Sequence, residues 1–142
     1  MNDVCYKVVQ KIDGKLLPVV CKHIKQYAVE YNIGEVTTAK NGSKLFAFFS
    51  QHQAIDWMTR MIYAVYSDNH SLHMISCDCS KHEPAPVKIP NPYIVSQNSV
   101  FAFWRGNLCI DLLSWPTPEG SILVDWIKPT RIICSMKRGD FA

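Results

Sequence analysis

The sequence predicts an α+β fold, in which a mostly antiparallel β-sheet carries one main amphipathic helix, at about residues 50–61, packed on one face. Apolar residues make up 48% of the chain and charged residues only 19%, which suits a protein with a substantial core. Short β-prone runs separated by turn residues recur along the chain, whereas helical periodicity is sustained in one segment only. A length of 142 residues is typical of a single domain, so we expect one globular domain spanning residues 1–142.

The first part of the chain has the pattern of a β-hairpin followed by a third strand. Residues 5–10 and 15–20 are β-prone, and the Asp13–Gly14 pair between them is a strong signal for a tight turn. Pro18 lacks an amide hydrogen, so the returning strand should lie at an edge or end there. Residues 27–31 predict the third strand.

A buried strand and the main helix follow directly. Residues 45–49 form a short, aromatic-rich apolar run, which predicts a strand buried on both faces. Ser50 and Gln53 have the spacing of a capping box, which places the helix start at Ser50. The apolar residues at helical spacing are Ala54, Ile55, Trp57, Met58, Met61 and Ile62.

The second half is predicted to contain further strands around a proline-rich loop. Four prolines lie between positions 84 and 92, which predicts an extended, irregular loop over residues 78–98. The predicted strands cover residues 62–66, 72–77, 100–104, 108–113, 122–126 and 131–134, with Pro129 breaking the pattern before the last of them.

Charge and hydropathy narrow the classes of partner. The net charge of +3 is too small, and the basic residues too dispersed, to indicate a nucleic-acid partner. No apolar run has the length of a membrane span, and the first residues do not resemble a signal peptide. We therefore expect no membrane partner and no secretion, with the six cysteines present as thiols.

A cluster of cysteines and histidines suggests a metal site. Cys77, Cys79 and His82 are spaced so that three zinc ligands are close in sequence, and His73 (or His70) would supply the fourth. The alternative is a strand that ends in a polar loop, with Cys77 buried and Cys79 exposed. Zinc is the only cofactor that the sequence suggests.

Motifs for catalysis are missing from the sequence. It contains neither a glycine-flanked nucleophile nor a glycine-rich phosphate-binding loop. A deep polar pocket around Glu30, Glu35 or His52 would favour an enzymatic function. We therefore predict no catalytic residues.

Aromatic residues are more numerous than one small core readily hides. Tryptophan and tyrosine are favoured anchors of protein interfaces. We expect Tyr93, Trp104 and Trp115 to bind a protein partner or a second copy of the chain, and the alternative is an aromatic-rich core.

A hairpin, a turn and a strand–helix junction in the first sixty or so residues form a familiar pattern, carried by Tyr6 to Val9, Gly14-Lys15, Val29 to Tyr31 with Gly34-Glu35, and Leu45 to Phe48 before a helix that contains Ala54. This pattern resembles that of small uncharacterised α+β domains of viruses and phages. The resemblance implies a viral origin and no site. With that origin, we expect a viral accessory or minor virion (capsid-associated) component, located in the host cytoplasm or the virion. Together with the aromatic surplus, it favours a non-enzymatic interaction or structural protein. The alternative is a small enzyme or toxin-like domain that acts on a nucleotide or a protein, such as a hydrolase or an ADP-ribosyltransferase-like domain.

Overall fold

An antiparallel β-sheet dominates the computed structural model, which describes residues 3–19, 28–40, 42–62, 71–90, 100, 103–104 and 114–137. The elements in chain order are β1 (Asp3–Ile12), β2 (Lys15–Pro18), β3 (Thr37–Thr38), β4 (Leu45–Phe48), α1 (Gln51–Met61), β5 (Ser71–Cys79), β6 (Glu83–Pro84), β7 (Lys88–Pro90), β8 (Ser114–Pro116), β9 (Ser121–Val124) and β10 (Trp126–Lys137). Eight strands form one sheet in the order β3-β10-β5-β1-β4-β9-β6, with β2 beside β1, while β7 and β8 form a separate ribbon. The predicted α+β class is confirmed.

The predicted hairpin is formed by β1 and β2. Asp13 and Gly14 both have positive φ, 52° and 79°, as a type I′ turn requires. Ile12 then pairs with Lys15, and Val9 pairs with Pro18. β2 ends at Pro18, as the missing amide hydrogen of that proline predicts.

Strands β1, β5 and β10 form the centre of the sheet. Asp3 pairs with Cys79 and Lys11 with Ser71, so β1 pairs with β5 over the whole length of β5. The prediction that Pro129 interrupts the last strand is wrong, because β10 runs through it. Pro129 lies opposite Cys77, and the register shifts immediately after it. A β-bulge at that point accommodates a residue that cannot donate to the ladder.

Helix α1 packs on one face of the sheet, as predicted. Ser50 caps its start: its hydroxyl accepts a hydrogen bond from the Gln53 amide at 3.3 Å and donates to Gln53 Oε1 at 3.0 Å. The buried helix residues Ala54, Met58 and Met61 lie in one cluster with sheet residues of the same face. Those sheet residues include Val8, Leu72, Met74 and Met136.

The opposite face of the sheet is covered by the segment of residues 28–40. Because side chains alternate along a strand, Cys5 and Val9 of β1 lie on this second face with Ile75 and Cys77 of β5. Tyr31, only 1% exposed, packs over them. The strand predicted at residues 27–31 is wrong over its described part, since only Tyr31 pairs, through an isolated bridge with Leu16.

Two further predictions for the second half need correction. The proline-rich segment is not irregular throughout, because β6 and β7 lie within its described part, residues 78–90. Val100, Phe103 and Trp104 are helical rather than extended. The predicted strands at residues 63–66 and 108–113, and the loop at 91–98, lie outside the described residues.

Candidate functional site

A cavity opens where two neighbouring strands separate. β1 and β4 pair only through Tyr6 and Phe48, and from Val9 onwards β1 pairs with β2 on that side instead. The backbones of β1 and β4 therefore diverge towards Leu45. A cavity of about 130 Å³ lies in this divergence, and residues of β1, β2 and β4 line it.

Aromatic rings form much of the cavity wall. The ring of Phe46 contacts those of Phe103 and Trp104, with centroids 5.9 and 5.8 Å apart, and Phe103 and Trp104 meet edge to face at 4.7 Å. Phe48 and Trp57, which contact each other at 5.7 Å, also line the cavity. Tilted and edge-to-face geometries of this kind are favourable for aromatic pairs, so they fix the shape of the wall.

Lys7 places an ammonium group in this largely apolar wall. Its Nζ donates a hydrogen bond to the carbonyl oxygen of Phe46 at 2.6 Å and lies 5.7 Å from the centre of the Tyr31 ring. The bond bridges β1 and β4 where their backbones have diverged. The buried Tyr31 ring adds a cation–π contact. Burial raises the pKa of Tyr31, so this ring remains a neutral phenol.

A second lysine lines the same cavity but has anionic partners. Lys44 forms ion pairs with Asp125 and, at 3.5 Å, with Glu83. The hydrogen bond to Asp125 raises the pKa of Lys44 above its usual value. Glu83 belongs to β6, and Asp125 lies between β9 and β10. Neither carboxylate lines the cavity, so both ion pairs of Lys44 are made outside the cavity.

The residues predicted to bind a partner are separated. Trp104 is half-buried and lines the cavity. Trp115 is 38% exposed and belongs to the β7–β8 ribbon, where it pairs with Ile89. Only Ile89 of that pair reaches the cavity. Tyr93 lies outside the described residues.

The predicted zinc ligands are also divided. Cys77 and Cys79 are both buried on the second face, together with Cys5, which pairs with Cys77 across the strands. The thiol of Cys77 donates a hydrogen bond to the carbonyl oxygen of Ile75 at 3.7 Å. His82 lies beside Asp3 instead, with its backbone N–H donating to the Asp3 carboxylate at 3.1 Å and its Nε2 3.8 Å from the same oxygen. The neighbouring Cys77 thiol, together with burial, raises the pKa of Cys5. The neighbouring Cys5 thiol, together with burial, raises the pKa of Cys79.

His73 is held away from these cysteines. It lies further along β5, where one ring nitrogen is 2.7 Å from the Ser71 hydroxyl and the other 2.6 Å from that of Ser135. Burial, helped by the charge of Lys11, lowers the pKa of His73. Among the residues that the structure describes, no three His, Cys, Asp or Glu side chains are arranged to hold a metal ion.

The side chains considered for an enzymatic pocket do not converge. Glu30 and Glu35 are exposed, and His52 is 88% exposed with Asp56 as its neighbour at 3.8 Å. None of the three lines the cavity.

In the described part of the chain, no helix is long and apolar enough to cross a membrane.

Sequence reasoning missed Lys7 and Phe46 as site residues. It treated Lys7 as one of several dispersed basic residues and Phe46 as part of a buried strand. The alternation of β1 could have placed Lys7 on the same face as Cys5 and Val9, which is an unusual position for a lysine. Which carbonyl it meets depends on where β1 leaves β4, and no local pattern encodes that.

Comparisons with known proteins give no relative from which a function could be transferred. No protein-family model, no curated protein and no solved structure matches the chain at a significant level.

Proposed function

We propose that this protein is a non-enzymatic interaction domain, whose cavity between β1 and β4 receives an apolar group of a protein partner. The observation that carries the proposal is the aromatic lining of that cavity by Phe46, Phe103 and Trp104. Aromatic side chains in a desolvated pocket are the usual anchors of protein interfaces.

The volume of the cavity sets the size of the group that it would receive. At about 130 Å³ it is close to the roughly 150 Å³ engineered cavity that binds benzene. One phenylalanine or leucine side chain is of that size. Burying such a side chain contributes about 1.5–3 kcal/mol, so the cavity would act as one anchor within a larger interface.

An enzymatic alternative has one observation in its favour, the Ser71–His73–Ser135 network. A serine beside a neutral imidazole is part of many hydrolase sites. Here, however, both ring nitrogens are bonded to serines, and no described Asp or Glu hydrogen bonds to His73 to orient it. These residues also lie on adjacent strands in register, so the network is explained as cross-strand pairing. We therefore favour the binding function, and a viral or virion role stays a prediction.

The proposal is tested by titrating the protein with acetyl-phenylalanine amide, a neutral model of a phenylalanine within a partner chain. We expect saturable chemical-shift changes in ¹⁵N–¹H spectra at Lys7, Phe46 and Trp104. Trp104→Ala should weaken binding, because it removes one wall of the cavity.

Trp115→Ala is the matched control, since it removes a half-exposed tryptophan of the ribbon that does not line the cavity. Thermal melts would establish that both variants are folded. Shift changes that do not saturate, or that survive Trp104→Ala unchanged, would show that the cavity is not the binding element.

A further inference from the structure

The edge of the sheet formed by β10 is open over most of its length. The outermost strand, β3, pairs with β10 only at Trp126 and Ile127. The carbonyl oxygen of Pro129 then accepts a hydrogen bond from the Gly34 amide at 2.8 Å. Over Thr130–Met136, no described residue pairs with β10 on the side away from β5, and we call this stretch the open edge. Its outward N–H and C=O groups are the ones that an added strand would bond.

The side chains along the open edge differ between the two faces of the sheet. Directly opposed residues of neighbouring strands lie on the same face, so Ile132 lies on the second face with its partner Ile75. Arg131, opposite Ser76, therefore lies on the face that carries α1. Ile132 is 44% exposed, and Arg131 is also exposed. Adjacent positions thus present an apolar group on one face and a cation on the other.

The charge of β10 indicates which kind of strand fits beside it. The strand contains three basic residues, Lys128, Arg131 and Lys137, and no aspartate or glutamate. Asp78 of β5 lies opposite Lys128 and offsets part of this charge. Arg131 forms no ion pair with any described residue. A second copy of β10 would add like charges to the same ladder, whereas an acidic strand would complement the charge at Arg131.

We infer that the open edge binds an extended acidic segment of a protein partner, which adds a strand to the sheet. Every second side chain of that segment is acidic and lies beside Arg131, and the alternate side chains are apolar and lie beside Ile132. Register shifts on both sides of this residue pair twist β10, so the added strand is short, of about five residues. The inference goes beyond the proposed function, because no residue of β10 lines the cavity.

The test uses acetyl-Val-Glu-Val-Glu-Val-Glu amide as the acidic strand, and the same peptide with lysine in place of glutamate for comparison. At saturation, the acidic peptide should slow hydrogen exchange of outward amides within Thr130–Met136 by about tenfold or more, because they gain hydrogen bonds. The lysine peptide should bind at least about fivefold more weakly, since it places a cation beside Arg131. Trp104→Ala should leave the protection at β10 unchanged.

Arg131→Glu tests the charge without removing the backbone edge. This variant should bind the acidic peptide about fivefold more weakly than wild type and the lysine peptide more tightly, because one exposed charge pair is reversed. Arg60→Glu is the matched control, since Arg60 is an exposed arginine in the last turn of α1. It changes the net charge of the protein by the same amount and should leave both affinities close to their wild-type values.

Four results would overturn the inference. The acidic peptide might fail to bind, or bind without protecting any amide within Thr130–Met136. Equal affinities for the two peptides would show that charge does not select the partner. Protection of these amides that grows with protein concentration, without peptide, would identify a second copy of the chain as the occupant. None of these results bears on the cavity, which is tested separately with acetyl-phenylalanine amide and Trp104→Ala.

Discussion

The ammonium group of Lys7 lies 2.6 Å from the carbonyl oxygen of Phe46, across the point where β1 and β4 stop pairing. A side chain thus supplies the hydrogen bond that the neighbouring strand would provide in a regular ladder. Unpaired backbone carbonyls are costly in a largely apolar environment, so this bond allows the strands to diverge and the cavity to form.

Lys7 should therefore stabilise the fold as well as line the cavity. We expect Lys7→Ala to lower the free energy of unfolding by about 1–2 kcal/mol, because the Phe46 carbonyl loses its donor and the aliphatic stem loses its packing. Lys11→Ala removes an exposed lysine from the same strand and should change the free energy of unfolding by less than about 0.5 kcal/mol. Urea denaturation of both variants measures the difference. Equal effects would mean that the bond to Phe46 contributes nothing to stability.

Gly120 should be less replaceable than Gly14, although both have positive φ. A Cβ atom at Gly120 would lie 1.8 Å from Gln53 Oε1, whereas one at Gly14 meets nothing within 4 Å. Gly14→Ala should cost about 1 kcal/mol through backbone strain alone. Gly120→Ala should cost about 1 kcal/mol more, because Gln53 must also give up its bond to the Ser50 cap. Thermal melts test this ordering, and similar stabilities for the two variants would contradict it.

His73 should make stability depend on pH below neutrality. Burial, and to a lesser extent the charge of Lys11, lower the pKa of His73 in the folded state from its usual 6.5. Between that lowered pKa and 6.5, the unfolded chain binds the proton more readily than the folded protein does. The contribution of His73 to the free energy of unfolding is therefore fully present above pH 6.5 and declines as the pH falls through this range.

The matching variants isolate the contribution of His73. His73→Gln should flatten the decline in the free energy of unfolding between pH 7.5 and pH 5, as measured by urea denaturation. His52→Gln, at an 88% exposed position on α1, should retain the wild-type slope. A wild-type slope in His73→Gln would show that this imidazole does not titrate differently on folding.

The buried thiols should be unreactive in the native protein. The thiolate is the reactive form, and a neighbouring thiol together with burial raises the pKa of Cys5 and of Cys79. Cys134 is only half-buried, so it should be alkylated first among the described cysteines. Mass spectrometry of peptides after timed treatment with iodoacetamide gives the order. Modification of Cys5 or Cys79 before Cys134 would contradict the packing of the second face.

Local signals predicted the elements that depend on short stretches of chain. The Asp13–Gly14 turn and the Ser50 cap are both formed, because each needs only residues within a few positions of itself. The proline-rich segment was mistaken for an irregular loop because proline density does not show where a strand will lie. β6, which contains Pro84, is at one edge of the sheet, where a missing amide hydrogen is tolerated.

The candidate site was not predictable in the same way. Trp104 was selected for its residue type, and it does line the cavity, but through a helical rather than an extended backbone. The role of Lys7 follows from the single β1–β4 pair and from the pairing of β1 with β2 from Val9 onwards. Such registers depend on the packing of strands that are distant in the chain, and no local sequence pattern reveals that packing.

The central claim is that the cavity between β1 and β4 binds an apolar group. The most direct measurement is of intermolecular nuclear Overhauser effects between the phenyl ring of acetyl-phenylalanine amide and the protein. We expect contacts from that ring to the side chains of Phe46, Phe103 and Trp104. Contacts confined to residues that do not line the cavity, such as Trp115, would contradict it.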